Sequence, residues 1–391
     1  MKHSCVLWGG YGHGNVGDDL TLAVALADAR RAWGDSVAIL TPRADRTARQ
    51  FPDIPRIPYV LRRPPPPARL CLRARAALRS LCGGSRGGSP RYRLRDQLPA
   101  GSRAPRPAWV RAVEEARELV LVGGGYLTDL FPVETFLFPV QLARAKGVPV
   151  RTDPLGIGPF ASRRAAAAVV AALLAADLRV RDDVSLEFCR AHGLAAKRCL
   201  DSGFRLKEVV PALVRAPRGR RVGICISRQA GSGPGAARRA TTAWCNAFLR
   251  ALAADRDLEI RGFCFHADPR TDYEATRAAF LRAGIDADLV APPCADFREA
   301  ARALASHNVI VTTRFHAAVA AAALAIPCFA FARGSYYAAK MASVRAQAPE
   351  TTVIIDPAGD PSERAATIVR AAARDGEAVA AGRRENRNTN G

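Results

Sequence analysis

Four basic or titratable residues in the second half of the sequence have the types and spacing of a site for a small anion. Arg314 and His316 lie in TTRFHAAVAAAA, where a predicted buried strand ends and an alanine-rich helix begins. Helix N-termini attract anions, and arginine binds phosphate and carboxylate groups through paired hydrogen bonds. Arg228 ends a predicted strand in GICISR, and Lys340 follows in GSYYAAKMAS. Together they predict one wall of a site for a substrate that carries a phosphate and a carboxylate.

The stretch around Arg314 and His316 is unusual in its charge. Residues 300–349 contain no aspartate and no glutamate. Arg314 therefore has no obvious carboxylate partner in this part of the sequence, and that absence favours a ligand-binding role. The alternative is structural, with Arg314 capping a backbone carbonyl and His316 packed inside the turn.

A glycine-rich turn with two adjacent carboxylates, GYGHGNVGDD, follows the first predicted strand. Gly12, Gly14 and Gly17 match the Gly-x-Gly-x-x-Gly pattern of dinucleotide-binding folds. Two features argue against NAD. The second predicted strand ends in Leu-Thr-Pro-Arg, without an acid for the ribose, and Asp18 and Asp19 would repel a pyrophosphate at the helix N-terminus.

The same turn could instead offer polar groups to a substrate. Asn15 and one carboxylate, Asp18 or Asp19, are expected to hydrogen-bond hydroxyl groups. The alternative is plain capping of the following helix, which explains at least one of the two acids. A second glycine-rich turn after a strand, VGGGYLTD, adds Gly124 and Gly125, where a ligand could approach the backbone closely.

The elements that must position these residues alternate between short apolar strands and helices along the whole chain. This alternation predicts an α/β fold of parallel strands joined by helical crossovers, with ligands at the carboxyl ends of the strands. It occurs twice, which predicts two doubly wound, Rossmann-like domains facing a cleft. The predicted strands of the second half are Val222–Ser227, Leu258–Phe265, Asp288–Ala291, Asn308–Thr312, Pro327–Phe331 and Thr352–Asp356.

Breaks in this alternation predict the domain boundaries. The N-terminal domain is predicted to span residues 1–210 and the C-terminal domain residues 218–375, with a linker rich in proline and arginine between them. The polar tail, residues 376–391, is predicted to be disordered.

The positive charge of the chain is concentrated in one segment. The formal net charge is +22, and residues 62–107 contribute half of it, with twelve arginines and one acid. Proline-rich and glycine-rich stretches predict that this segment is a solvated, partly disordered insertion. Its charge also suits an anionic membrane face or an acidic glycan. No nucleic-acid partner is expected, because interleaved aromatic residues and known reader motifs are missing.

The ten cysteines are scattered singly, and most lie in apolar runs. This pattern predicts reduced, buried thiols in a cytoplasmic protein rather than disulfides or a zinc site, and no other residue cluster predicts a metal. The longest uninterrupted apolar run, Ala165–Ala176, is too short to cross a bilayer.

The motifs, taken in order, resemble those of the polysaccharide pyruvyl transferase family. GYGHGNVGDD looks like the family's opening turn, VGGGYLTD like its triple-glycine turn and GIGPF like its Gly-Ile-Gly-Pro loop. RVRDDVSLEF resembles its Arg-Asp-x-x-Ser helix start. In the second half, ISR, TTRFHAAVAAAALAIPCFAF and YAAK resemble its strand-end arginine, its Arg-x-His helix with the following strand, and its Tyr-x-x-Lys step. The similarity extends from about Val6 to about Lys340.

The resemblance implies a GT-B-like fold with the acceptor on the N-terminal domain and the donor on the C-terminal domain. It implies transfer of a pyruvyl group from phosphoenolpyruvate to hydroxyls of a sugar or glycan, giving a ketal and phosphate, in exopolysaccharide or cell-surface biosynthesis. A lipid-linked acceptor would suit a cytoplasmic protein with peripheral contact at the inner face of the membrane, through the basic insertion. Phosphoenolpyruvate is then a co-substrate, and no cofactor or metal is required.

The resemblance also implies a role for each candidate residue. His316 becomes the candidate general acid. The donor phosphate and carboxylate would be held by Arg228, Arg314 and Lys340. Asp18 would orient the acceptor or accept its proton. The remaining candidates on the acceptor side are Asn15, Asp19, Gly124 and Gly125.

Other functions remain open at this point. The sequence has DSGF where many family members have Asp-Pro-Ala-Phe, which leaves the acceptor open. A GT-B glycosyltransferase using a nucleotide sugar is the main alternative, although residues 300–349 offer no acid for its ribose. A non-catalytic protein that binds anions or glycans and an NADP-dependent oxidoreductase are the others.

Overall fold

The computed structural model of this chain contains two compact units. The first comprises Met1–His13 and Thr21–Ser202, and the second comprises Gly14–Leu20 and Gly203–Gly391. The structure describes residues 3–61, 106–215, 219–228, 235–332, 334–357 and 359–388.

The first unit contains two parallel sheets. The five-stranded sheet has the order β3-β2-β1-β4-β6 and the four-stranded sheet the order β5-β7-β8-β9. All their pairings are parallel, as the alternation of strands and helices predicts. The strands are β1 (Cys5–Trp8), β2 (Val37–Thr41), β3 (Arg56–Pro58), β4 (Glu118–Leu121), β5 (Gly124–Leu127), β6 (Val150–Thr152), β7 (Leu155–Ile157), β8 (Leu178–Val180) and β9 (Ala196–Arg198).

Helices and aromatic side chains complete the first unit. The ring of Tyr59 lies 4.3 Å from that of Trp8 and 5.2 Å from that of Trp109, and all three rings are buried in its core. Its helices are α1 (Val16–Trp33), which begins in the segment assigned to the second unit, α2 (Ala44–Gln50), α3 (Ala108–Glu115), α4 (Val133–Ala145), α5 (Arg163–Leu173) and α6 (Asp183–Ala191).

The second unit is built on one parallel sheet with the order β11-β10-β12-β13-β14. In the register of its two central neighbours, Cys225 lies beside Thr312, so both strands end at the same edge. The residues that follow these two ends can therefore meet. The strands are β10 (Arg221–Cys225), β11 (Glu259–Gly262), β12 (Val309–Thr312), β13 (Cys328–Phe331) and β14 (Thr352–Ile355).

Helices on both faces bury this sheet. Helix α11 is the most apolar of them. It consists mostly of alanine, and nearly every residue in it is buried. The helices are α7 (Leu206–Val209), α8 (Gly235–Ala253), α9 (Tyr273–Ala283), α10 (Phe297–Ala305), α11 (Phe315–Ala323), α12 (Gly334–Gln347) and α13 (Pro361–Asn388). No helix in the described ranges is both long and apolar enough to span a membrane.

The parallel sheets with covering helices confirm the predicted α/β fold class. One predicted strand of the second half was wrong: Asp288–Ala291 forms a 3₁₀ turn over Ala287–Leu289 and a single bridge from Val290 to Gly262. Its aspartates favour turns, and Asp286 caps the turn by accepting a hydrogen bond from the Asp288 N–H.

The boundaries and the tail differ in detail from the sequence expectations. The division between the units falls at Ser202 and Gly203 rather than after residue 210. Helix α13 continues to Asn388, through most of the segment predicted to be a disordered tail, which is rich in the helix formers alanine, glutamate and arginine. The basic insertion lies outside the described residues except for Arg106 and Pro107.

Candidate functional site

His316 and Asp18 form the centre of the candidate site in the second unit. His316 is the second residue of α11, and its Nδ1 lies 3.5 Å from Oδ1 of Asp18. The His316 side chain is 7% exposed and that of Asp18 is 18% exposed. The structure thus brings together the two residues that the sequence nominated for catalysis.

Gly17 makes this approach possible. A Cβ atom at position 17 would lie 2.1 Å from Cβ and 2.4 Å from Nδ1 of His316. No side chain fits between the two backbones, so the third glycine of the turn has a packing role at the histidine. The match to a dinucleotide-binding pattern therefore has a different physical cause at this position.

Asn15 caps helix α1 and holds Asp18. Its Oδ1 accepts a hydrogen bond from the Gly17 N–H at 3.2 Å, and its Nδ2 donates to Oδ2 of Asp18 at 2.8 Å. Asn15, rather than either acid, thus supplies this capping contact, and its second hydrogen bond fixes the carboxylate that faces His316. Asp19 is only 2% exposed, so burial leaves its carboxylate little access to a substrate.

A short backbone pairing holds the Asn15 turn in the second unit. The Val16 N–H donates to the Phe265 carbonyl at 3.2 Å, and the Ala267 N–H donates to the Gly14 carbonyl at 2.8 Å. Asn15 and His266 form an antiparallel bridge between these two bonds.

His266 is a residue of this site that the sequence analysis missed. Its Nδ1 accepts a hydrogen bond from the Asp268 N–H at 3.0 Å, so its neutral form carries the proton on Nε2. The signal was present in the sequence, because His266 directly follows the predicted strand Leu258–Phe265 and therefore occupies the ligand edge of the sheet.

Arg314 has a carboxylate partner, contrary to the sequence expectation. Its Nε donates to Oδ1 of Asp272 at 2.7 Å, and its Nη2 lies 2.5 Å from the same oxygen. Asp272 is 42 residues upstream, outside the stretch from 300 to 349 that lacks acids. The expectation failed because the fold, rather than the sequence neighbourhood, supplies the partner.

The ion pair keeps Arg314 charged although it is largely buried. Burial alone would lower the pKa of the guanidinium, but the charge of Asp272 and its hydrogen bond outweigh burial and raise the pKa above its ordinary value. The Arg314 side chain is 12% exposed, whereas that of Asp272 is fully buried. The salt bridge to Asp272 thus holds the Arg314 side chain in place, while a small part of that side chain stays exposed.

The N-terminus of α11 has the character of an anion site. Its N-cap residue, Arg314, makes no side-chain capping hydrogen bond, and the first turn contains no acid. The N–H groups of the first helical turn have no acceptor within their own helix, and they carry partial positive charge.

Lys340 also lies next to this helix start. Its ammonium is 5.7 Å from the ring centre of Phe315, the first residue of α11, and 4.4 Å from that of Tyr336. Cation–π contacts of this kind hold an ammonium in place without neutralising its charge. The structure thus places Lys340 against Phe315, the residue between Arg314 and His316 in the sequence.

The backbone of Arg228 is hydrogen-bonded to Thr271, the residue before Asp272. Its N–H donates to the Thr271 carbonyl at 2.9 Å, and the preceding Ser227 N–H donates to Oγ1 of Thr313 at 2.7 Å. Its side chain is exposed and lines a cavity beside the ends of β10, β12 and β13. Arg228 is therefore at the predicted edge of the sheet, directed to the cavity.

That cavity is largely apolar. Its volume is about 240 Å³, and helices α8 and α9 close its sides. Its lining includes Cys245, Phe248, Phe331 and Arg282 besides Arg228. Among the described residues that line it, none is acidic.

The remaining candidates, Gly124 and Gly125, belong to the first unit. They begin β5, and Gly124 packs so closely on Tyr126 that an added Cβ would be 2.7 Å from the ring.

Within the ranges that the structure describes, no group of three or more His, Cys, Asp or Glu side chains could hold a metal ion.

Comparisons with known proteins identify a family and a fold. A family model described as polysaccharide pyruvyl transferase matches residues 15–335. No curated protein sequence matches this chain significantly.

Three of the similar solved structures match this chain over nearly its whole length. A putative UDP-N-acetylglucosamine 2-epimerase from Listeria monocytogenes has a TM-score of 0.55 at 10% identity, covering 94% of this chain and 88% of that chain. The S. aureus MnaA–UDP co-structure has a TM-score of 0.53 at 11% identity, covering 95% and 87%. The UDP-GlcNAc 2-epimerase from Methanocaldococcus jannaschii has a TM-score of 0.51 at 11% identity, covering 95% and 92%. At these identities the likeness shows the fold, which is GT-B-like.

Proposed function

This chain belongs to the polysaccharide pyruvyl transferase family, and from that premise we propose that it transfers a pyruvyl group from phosphoenolpyruvate to two hydroxyls of a sugar or glycan. The observation that supports the proposal is the group of side chains at the start of α11. His316 faces Asp18 at 3.5 Å, Arg314 is the N-cap residue of the same helix, and the Lys340 ammonium lies 5.7 Å from the ring centre of Phe315. These residues combine a proton donor with cations suited to a phosphate and a carboxylate.

The reaction can be written with all atoms in place. A proton adds to the methylene carbon of phosphoenolpyruvate, and the first sugar hydroxyl attacks the adjacent cationic carbon and loses its proton. The bond from that carbon to the phosphate oxygen then breaks, and the second hydroxyl attacks the same carbon. The two hydroxyl protons end on the new methyl group and on the released phosphate, so the ketal forms without an oxidant or reductant.

His316 is the proposed general acid for the first step. Because Nδ1 faces Asp18, the opposite ring nitrogen, Nε2, is the one proposed to deliver the proton. Asp18 stabilises the imidazolium and fixes the ring orientation, and Asn15 in turn fixes Asp18. In this assignment Asp18 acts mainly on His316, and it would accept an acceptor proton only through that histidine.

Arg314, Lys340 and the N–H groups of α11 are proposed to bind the donor. Their positive charges would be most effective when the phosphate leaves, because negative charge then accumulates on its oxygens. Arg228 would bind the far end of the donor or the acceptor from its exposed position. On the acceptor side, Gly124 and Gly125 remain proposed, whereas burial makes Asp19 a poor candidate for direct contact.

A glycosyltransferase that uses a nucleotide sugar is the second candidate. The apolar cavity of about 240 Å³ at the ligand edge of the second sheet favours it, since a flat base could enter there. The similar S. aureus protein was solved with UDP, although 11% identity supports only a common fold.

The wider setting follows from the proposed reaction. Pyruvate ketals add a carboxylate to a glycan, which suits exopolysaccharide or cell-surface biosynthesis. We place the protein in the cytoplasm with phosphoenolpyruvate as co-substrate and no cofactor. The basic insertion at residues 62–107 would contact the inner face of the membrane if the acceptor is lipid-linked.

Thermal-shift titration of the purified full-length protein tests the donor. Phosphoenolpyruvate, UDP-sugars and NADPH are titrated separately, and a ligand at a hundred times its dissociation constant adds about 2.7 kcal/mol of stability. We expect stabilisation by phosphoenolpyruvate, and its loss in Arg314→Ala. Stabilisation by a UDP-sugar instead would replace the proposal with the glycosyltransferase, and stabilisation by NADPH would replace it with the oxidoreductase.

A further inference from the structure

We propose that Asp272 is a positioning residue that holds the donor-binding Arg314 and the Gly14–Asp18 turn in register with each other. This role rests on the proposed pyruvyl transfer. Asp272 is fully buried in the second unit and precedes α9, so it does not itself contact a substrate. Its two carboxylate oxygens have different partners, and each partner leads to a different part of the site.

The first oxygen, Oδ1, orients Arg314. The Nε atom of Arg314 donates a hydrogen bond to Oδ1 at 2.7 Å, and its Nη2 atom lies 2.5 Å from the same oxygen in a salt bridge. Because the guanidinium is planar, fixing this edge directs the N–H groups of Nη1 away from Asp272. The donor would therefore meet an arginine whose orientation is set before it binds.

The second oxygen, Oδ2, fixes the backbone that carries the other half of the site. It accepts a hydrogen bond from the Phe265 N–H at 2.9 Å, and the Cys225 thiol lies 3.7 Å away as a further donor. Burial raises the pKa of that thiol well above its ordinary value, so it keeps its proton. These contacts set the position of Phe265.

The backbone around Phe265 is in turn hydrogen-bonded to the Gly14–Asp18 turn. Its carbonyl accepts from the Val16 N–H at 3.2 Å, and the Ala267 N–H donates to the Gly14 carbonyl at 2.8 Å. The turn in turn carries Asp18, which lies 3.5 Å from His316. A continuous chain of polar contacts thus runs from Arg314 through Asp272 and the backbone to the carboxylate that faces the general acid.

Stability alone gives little reason for this arrangement. Replacing a buried ion pair with apolar side chains of similar volume is often neutral or stabilising, because both charges lose their water. What the ion pair does provide is direction, since it fixes one edge of a five-donor cation. The consequence that can be measured is the affinity for the donor.

The direct test is isothermal titration of phosphoenolpyruvate into the wild type and into Asp272→Asn. The variant keeps the shape and an oxygen for Phe265 but removes the charge opposite Arg314. We expect the dissociation constant to rise at least tenfold. Glu259→Gln is the control, because Glu259 pairs with Arg221 and Arg261 at the amino ends of the strands, and its variant should bind like the wild type.

A double-variant cycle separates positioning from general loss of structure. If Asp272 acts through Arg314, then adding Asp272→Asn to Arg314→Met should weaken phosphoenolpyruvate binding no further. A purely structural role would give additive losses in the two variants. Additive losses would therefore overturn the proposal.

The outcomes also separate this inference from the proposed function. A wild type that does not bind phosphoenolpyruvate contradicts pyruvyl transfer itself. A wild type that binds it, with a folded Asp272→Asn variant that binds within twofold, contradicts the positioning role alone. If Asp272→Asn does not fold, Asp272→Glu keeps the charge and shifts it by one methylene, and the same tenfold criterion applies.

Discussion

The helix starts of α1 and α11 are both strand-to-helix turns, yet they treat their N-terminal charge in opposite ways. Helix α1 is capped by Asn15 and has two acids in its first turn. The N-cap residue of helix α11, Arg314, makes no side-chain capping bond, and the first turn of the helix has no acid. The first helix therefore has a side-chain cap and its own negative charges at its positive end, whereas the second has neither.

This difference places a carboxylate, Asp18, in the first turn of α1 and a histidine, His316, in the first turn of α11. Asn15 holds the Asp18 carboxylate through a hydrogen bond of 2.8 Å, and the start of α11 carries His316 to within 3.5 Å of that carboxylate. Four substitutions in the second unit test what these features contribute to activity and stability.

Replacing the histidine should have the largest effect. His316→Gln removes the proposed proton donor but keeps a polar side chain of similar size, and general acid catalysis typically contributes 10²–10⁴-fold. We expect phosphate release from phosphoenolpyruvate in the presence of acceptor to fall by about that factor. Calorimetric binding of phosphoenolpyruvate should change little. An active variant would show that the start of α11 binds the donor but does not supply the proton.

The other buried histidine of the second unit should control stability rather than chemistry. Burial lowers the pKa of His307 to about 4. Since the unfolded chain binds this proton near its ordinary value of about 6.5, the stabilising effect is complete above that pH and is lost as the pH falls toward 4. The loss should approach about 3 kcal/mol.

Chemical denaturation between pH 4 and pH 7 measures this loss. His307→Asn should flatten the pH dependence in that window, because the variant has no imidazole to protonate. A variant with the same pH dependence as the wild type would contradict the assignment to His307. The comparison also shows which part of any activity loss at low pH comes from unfolding.

A side chain at position 17 should lower both stability and activity, because it would clash with His316 at the start of α11. Gly17→Ala puts a Cβ 2.1 Å from that of His316, so one backbone must move, at about 1–3 kcal/mol. Thermal denaturation should show the loss. In a His316→Gly background the same change should cost much less, because the clashing atoms are gone. An equal cost in both backgrounds would mean that the helices do not meet at Gly17.

Removing the cap of α1 should have the smallest effect on stability, about 1 kcal/mol for Asn15→Ala. Asp296→Ala is its matched control, because Asp296 caps α10 by accepting from the Arg298 N–H at 2.6 Å. Both variants should lose similar stability by denaturant titration. Only Asn15→Ala should also slow transfer, since it frees Asp18. Equal activities would reduce Asn15 to an ordinary cap.

The sequence predicted much of this site because its signals are local. Arg314, His316 and Arg228 follow the ends of apolar runs, and parallel sheets collect such positions at one edge. Asp272 was missed because it pairs across 42 residues, and no sequence window that contains Arg314 points to it. The strand predicted at Asp288–Ala291 failed because turn-forming aspartates outweighed its short apolar run.

The α/β class can be predicted from the amino-acid sequence, because the period of apolar residues indicates strands and helices locally. The sequence also determined which residue types stand at the ligand edges. In contrast, the contact of Asp18 with His316, about 300 residues away, and the salt bridge of Asp272 with Arg314 arise only when the chain folds. The physical reason is that these pairs depend on long-range backbone bonds, such as that between Val16 and Phe265, which local propensity does not encode.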